Sequence, residues 1–196
     1  LPSVTDKDKA IIVYISDMHV GAEVSSTSIY NNTFNEEIAR ERLMEKILPY
    51  VKELTMLTKA TSIIVCNVGD SLDGYNAQTT RGGHLLPQNM SNREQFRAYT
   101  QLMLLFFTDL STCGLFSSIE YYSVSGGNHD GDFGYFANKA LEGYLKILNP
   151  NIKVRIFEKF IESFTFNEHT FVVCHGKDDK DMFKNMPLTI NDKTEN

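Results

Sequence analysis

Three short runs of β-branched and aliphatic residues constrain the fold most: Ala10–Ser16, Ser62–Val68 and Ile119–Ser125. The middle run is nearly continuous in apolar side chains, the pattern of a strand covered on both faces of its sheet. Long amphipathic stretches separate the runs, enough for the crossover of a dozen or more residues that neighbouring parallel strands require. This alternation of strand and helix predicts a mixed α/β architecture.

The connecting segments carry their own signals. From Phe34 to Lys59, Ile38, Leu43, Ile47, Val51 and Leu54 recur at helical steps, and Pro49 should kink or split that helix. A long polar loop is expected from Gly69 to Met90. Ser91 with Glu94 forms a capping box for a helix running to Cys113, and another helix is expected over Tyr135–Leu148. Phe160–Phe166 and Thr170–Cys174 flank Asn167-Glu168-His169 as a hairpin. With 196 residues the chain, 1–196, is read as a single domain.

Composition narrows the function classes. Apolar residues make up 42% and charged residues 22%, a globular balance. The net charge of −6 argues against a broadly basic protein that coats nucleic acid. A nuclease stays open, because bound cations reverse the sign of a local site. Cys66, Cys113 and Cys174 are odd in number and widely spaced, so no disulfide framework is expected and a reducing, cytoplasmic setting is. No apolar run approaches the ~18 residues of a membrane span, and the N-terminal Leu1–Asp6 carries no signal pattern.

The chemistry-bearing residues follow the strands. The first run ends in Asp17-Met18-His19, the second in Gly69-Asp70, the third in Gly126-Gly127-Asn128-His129-Asp130, and the last apolar run in His175-Gly176. Ligands of open α/β sheets bind outside the carboxyl ends of strands. One strand-end Asp is commonly a cap and one His commonly structural, but four such clusters in order point to a shared site. Carboxylate, imidazole and amide oxygen suit Mn²⁺, Fe or Zn²⁺ rather than thiolate-seeking metals. Asp17 and His19 alternate along the chain toward one ion, Asp70 has two oxygens with which to bridge two ions, and Asn128 and His175 supply a second set.

These segments, in this order from residue 17 to 176, resemble the calcineurin-like metallophosphoesterase superfamily. The loop from Asp70-Ser71-Leu72-Asp73-Gly74-Tyr75 to Arg81-Gly82-Gly83-His84 and on to Met90 is similar to that of phage and prophage members, which implies a bacterial or phage-infected host cell. The resemblance implies a four-layer αββα sandwich with a dinuclear centre, two divalent ions with Mn²⁺ favoured over Fe, Zn²⁺, Ni²⁺ or Mg²⁺. Asp17 and His19 would bind the first ion, Asp70 would bridge, and Asn128 and His175 would bind the second. His129 would stabilise phosphoryl charge or protonate the leaving group, and Asp130 would orient His129 by accepting its other ring N–H. A metal-bridging hydroxide would then hydrolyse a phosphate ester. The Asp at position 130, in place of Glu, favours a phosphodiester, DNA or a nucleotide. A phosphomonoesterase and a non-catalytic scaffold that keeps the fold are the alternatives.

One departure bears on this reading. The family pattern closes with a Gly-His-x-His segment, and nothing after His175 supplies it. Either the chain is an N-terminal fragment or the protein manages with fewer ligands; the expectation is a C-terminally truncated fragment in which each ion lacks one ligand, binds weakly and supports low or no activity. Arg81 and His84 on the long loop are candidate substrate contacts, and Arg93 and Arg97 are read as solvated. Tyr75 is weighed as a residue that stacks on a base and, with no second aromatic nearby to make a platform, is read as packing locally. Asp73 is read as a turn residue before Gly74 or as outer support for the metal shell, His169 as exposed in the hairpin turn, and Leu104–Phe107 as core. The run from Lys177 to Asp181 is read as a solvated helix start.

Overall fold

A computed structural model of the chain describes residues 9–27 and 31–176. Four strands, β1 (Ala10–Ile15), β2 (Ser62–Asn67), β3 (Ser118–Ser123) and β4 (Ile152–Ile156), form one parallel sheet in that spatial order. Register fixes the edge that matters. Ile15 lies opposite Asn67, and Asn67 opposite Ser123, so the first three strands end at one level. The segments 16–19, 68–73 and 124–130 therefore leave the sheet side by side.

Each crossover carries helix: α1 (Glu36–Glu41) and α2 (Leu48–Thr58) after β1, α3 (Asn92–Thr112) after β2, α4 (Gly131–Leu148) after β3. Crossovers of one hand, made to successive neighbours in one direction, stack their helices on one face. Ile11, Val13, Ile63, Val65, Ile119 and Tyr121 accordingly pack with Leu43, Val51, Phe106, Phe107 and Leu141. Ile64 and Cys66 point to the other face, where they meet a hairpin of β5 (Ile161–Phe166) and β6 (His169–Cys174) through Phe164 and Val173. Tyr122 stacks on Phe164 at 4.6 Å and Phe164 on Phe171 at 5.2 Å. The hairpin runs beneath the sheet and brings the residue after β6 to the edge where β1–β3 end. Asn167 turns it with a left-handed φ of 53°, a conformation Asn tolerates better than most residues.

Pro49 was expected to kink or split the first helix, but the helical stretch 36–58 runs on without a break through it. Between α1 and α2 the backbone widens into a π-helical segment, Arg42–Ile47, with Leu48 N–H reaching Leu43 O. That wider turn accommodates Pro49, which has no N–H to donate and whose ring would press on the carbonyl four residues back in a regular α-helix. The Ser91–Glu94 capping box opens α3 with both of its reciprocal bonds present. Two further features differ from expectation. β4 was not anticipated, and the segment 69–90 is a polar surface loop only in its later part, since Asp70 through Gly74 are buried. The run 177–181 lies outside the described residues. Among the described residues, no helix is long and apolar enough to cross a membrane.

Candidate metal centre and active site

The residues that leave the common edge meet. His175, the first residue after β6, has its Nε2 3.0 Å from Asp70 Oδ2 and 2.9 Å from Asn128 Oδ1. Asp70 is 1% exposed, and Asp17, His19 and Asp70 offer ligand atoms within 4.8 Å of one another. His19 Nε2 lies 3.5 Å from Asp17 Oδ1. Asp17, His19, Asp70, Asn128 and His175 thus converge, with Asp70 standing between the pair from β1 and the pair from β3 and β6.

The backbone is held in unfavourable conformations to achieve this. Asp17, His19 and Asp70 have φ of 51°, 43° and 51°, each costing about 1–3 kcal/mol in a non-glycine residue. Cross-links between the loops enforce them: Asp17 N–H donates to Gly69 O at 3.1 Å and His19 N–H to Asp70 O at 3.0 Å. Gly127 is needed for a different reason. A Cβ built there would lie 2.2 Å from Asp70 Oδ1 and 2.4 Å from Asp130 Oδ1, so only a glycine lets the backbone pass between two carboxylates.

The donor geometry fits a cation. His175 Nδ1 faces Val68 O at 2.9 Å, and a neutral ring that donates there turns a bare Nε2 lone pair toward two acceptor oxygens. Three acceptors pointing at one spot repel unless a proton or a metal lies among them. Ligands bound at ~2.1 Å around one ion stand roughly 3.0–3.4 Å apart in octahedral or tetrahedral arrangement, close to the 2.9–3.5 Å separations here. Without a metal, protons serve instead. The hydrogen bond to Asp70 holds the His175 pKa above its ordinary value against the opposing effect of burial. Burial alone would raise Asp70, but the bonds from His175 and the His129 N–H, with the nearby imidazole charges, bring it below the usual carboxylate range. Burial would lower His19, yet Asp73, Asp70 and Asp17 together raise it.

His129 stands at the rim of this cluster, its ring 4.3 Å from that of His19. Its N–H donates to Asp70 Oδ1 at 2.9 Å. The expected pairing with Asp130 is not what the structure has. Asp130 Oδ2 accepts from the N–H groups of Ser71 and Leu72 at 2.8 and 3.2 Å, and the residue is 2% exposed beneath the loop. Asp130 leads into α4 and turns inward, so it braces the segment that carries Asp70 rather than orienting the imidazole. Burial, with Asp70 beside it, pushes its carboxyl up to about 7. The partner of His129 is Asp73: Nδ1 lies 2.8 Å from Asp73 O and 3.5 Å from Asp73 Oδ1.

Asp73 is therefore the residue that sequence reasoning undervalued. It is 4% exposed, lies 3.4 Å from His19 Nδ1, and forms with His19 and His129 a second group able to hold a metal. Its Oδ2 and His19 Nδ1 are buried without a hydrogen-bond partner, a costly arrangement unless charge or a ligand compensates. Its three-residue spacing from Asp70, on the same loop, was the available signal.

Arg81 and His84 are exposed. The loop that carries them touches the site through its backbone: Thr80 N–H donates to His129 O at 3.0 Å and Arg81 N–H to Asn128 O at 3.1 Å. Below the site, Asn67, Ser71, Tyr99, Tyr121 and Asn138 form a buried hydrogen-bonded network that anchors the start of the loop. Gln95 on α3, fully buried, accepts from Asp73 N–H at 3.2 Å and donates to Gln88 Oε1 at 3.2 Å, tying both ends of the loop together. Comparison with known proteins returned no family model, no curated protein and no solved structure that matches the chain.

Proposed function

We propose that the chain is a metal-dependent phosphoesterase of the calcineurin-like kind, acting on a phosphodiester such as a nucleotide or DNA. The observation that carries this reading is the position of Asp70, buried between Asp17 and His19 on one side and Asn128 and His175 on the other. A carboxylate so placed has one oxygen for each of two cations. Two divalent ions held there, Mn²⁺ foremost, would supply the nucleophile and neutralise charge on the phosphate. The helix-backed sheet and the hairpin beneath it account for three layers of the four-layer sandwich that this reading entails.

The chain's own residues do the remaining work. The Asp73 carbonyl oxygen accepts a hydrogen bond from His129 Nδ1–H, which leaves Nε2 to face substrate; in the imidazolium form the Nε2 proton would pass to the departing oxygen and leave a neutral ring protonated at Nδ1. Asp70 Oδ1 fixes the backbone of His129 relative to the metal ligands. Asp130 and Gly127 set the spacing of that segment. Arg81, whose N–H bonds Asn128 O at 3.1 Å, and His84 on the same exposed loop would contact the substrate's ester substituents.

The test uses two chromogenic esters, bis(p-nitrophenyl) phosphate and p-nitrophenyl phosphate, with Mn²⁺ and with chelator. Slow cleavage of the diester at excess Mn²⁺, abolished by chelator, is expected, in keeping with weakly held ions. Cleavage of the monoester alone would overturn the diester preference, and cleavage of neither by Mn²⁺-loaded protein would overturn the hydrolase reading.

A further inference from the structure

We propose that Tyr75 is a stacking platform for a nucleobase on the leaving-group side of His129, which makes a nucleotide diester the substrate class. The proposal rests on the hydrolase reading above and adds to it a specificity-determining residue. Tyr75 was expected to pack locally without a neighbouring aromatic. Instead its ring lies 5.3 Å from that of Phe133, at 72°, so an aromatic from α4 supports it edge-to-face.

Its position relative to the chemistry is set from both sides. Tyr75 follows by two residues Asp73, whose carbonyl oxygen holds His129 Nδ1 at 2.8 Å. Phe133 follows His129 by four residues, in the first turn of α4. Both aromatics therefore belong to the two segments that hold the imidazole, and a base on the leaving group is the substituent assigned to them.

The backbone that carries the ring is also pinned. Tyr75 N–H donates to Gln78 O at 2.9 Å and Gln78 N–H to Tyr75 O at 3.2 Å. Between them Asn76 and Ala77 both have positive φ, 52° and 57°, the signature of a tight type I′ turn. Ala at such a position is strained, and the turn is clamped by Asn76 N–H to Asn92 Oδ1 at 2.9 Å and Asn92 Nδ2 to Asn76 Oδ1 at 2.7 Å. A strained, cross-tied turn thus presents a ring that is 48% exposed. An aromatic face on a pinned backbone has less entropy to lose on stacking, and stacking tolerates any base.

The probe is a 2-aminopurine–thymidine dinucleotide, whose fluorescence falls when its base stacks, compared with an analogue in which that base is replaced by hydrogen. In Mg²⁺ the wild-type chain is expected to bind the dinucleotide about ten-fold more tightly than the abasic analogue, or ~1.4 kcal/mol. Tyr75→Leu should abolish that ten-fold and leave affinity for the abasic analogue unchanged, while Tyr75→Phe retains it. Equal wild-type affinities for the two compounds would overturn the platform, and this comparison decides even if Tyr75→Leu proves unstable. Tyr75→Leu with wild-type selectivity would overturn it too. In Mn²⁺, equal cleavage of both compounds by the wild type would also overturn the platform and leave the hydrolase reading standing. Quenching that Tyr75→Leu removes, with no cleavage of either compound, would support the platform and overturn the hydrolase.

Discussion

Replacing Gly127 with Ala should damage the site far more than its one added methyl suggests. The new Cβ would sit 2.2 Å from Asp70 Oδ1 and 2.4 Å from Asp130 Oδ1. Ordinary contact begins at 3.4 Å, so the two carboxylates must retreat by about 1 Å or the backbone must shift as far. Asp70 Oδ1 also receives the His129 N–H, and Asp130 Oδ2 those of Ser71 and Leu72. Hydrogen bonds to charged groups contribute ~1.5–3 kcal/mol each, and overpacking a filled site adds ~1–3 kcal/mol. A loss of about 3–5 kcal/mol is expected, a large share of the 5–15 kcal/mol that a domain has in total. Gly143→Ala is the control. It lies inside α4, its Cβ would meet nothing within 4 Å, and the change should stabilise by about 0.5–1 kcal/mol. Urea titrations of the two metal-free variants beside wild type give both numbers. A Gly127→Ala midpoint within 1 kcal/mol (roughly one stability increment of a single hydrogen bond) of wild type would refute the packing argument.

Other outcomes follow from the same geometry. His129→Ala should lower turnover about 10²–10⁴-fold with metal content preserved; loss of metal, read by elemental analysis, would contradict its assigned role. In the metal-free protein, Asp130 is raised to about 7 from 3.8, so folded chains hold its proton where unfolded ones release it, and stability falls as pH rises across that interval. His175 and His19, both raised from 6.5, contribute stability fully below 6.5 and lose it as pH rises through their folded values. Denaturation midpoints should therefore drop from pH 6 to pH 8 without metal, and Mn²⁺, which displaces the imidazole protons, should reverse the trend. A metal-free midpoint that rises over this range would oppose the assignment. Cys66 is buried, which pushes its thiol up to about 12; it should resist a thiol reagent at pH 8 until the chain is unfolded, as mass spectrometry of the labelled protein will reveal.

What the sequence discloses here is mostly local. A continuous apolar run announced β2, which is buried at every position, while β1 and β3, alternating in burial, were marked by β-branched and aromatic residues; Ser91 with Glu94 announced α3 because a capping box is written in four adjacent residues. The convergence of Asp17, Asp70 and Asn128 was legible because parallel strands deliver their ends to one edge, whereas His175 arrives from the antiparallel hairpin beneath the sheet. β4 escaped notice although Ile152-Lys153-Val154-Arg155-Ile156 alternates, for it is short, carries two charged residues and follows closely on α4. The direction in which a side chain turns after leaving its strand was not legible. Asp130 turns in to the Ser71 and Leu72 amides while Asp73 turns to His129, and only the packing of the loop between them decides this. Tyr75 and Phe133 likewise meet only because α4 begins beside that loop.

The central claim, that Asp70 is shared by two cations, is tested most directly by electron paramagnetic resonance during titration with Mn²⁺. The account predicts a spin-coupled pair signal that grows toward two equivalents and is lost in Asp70→Asn, which keeps the side chain's shape but not its charge. Saturation at one uncoupled ion, or a coupled signal that survives the substitution, would contradict it.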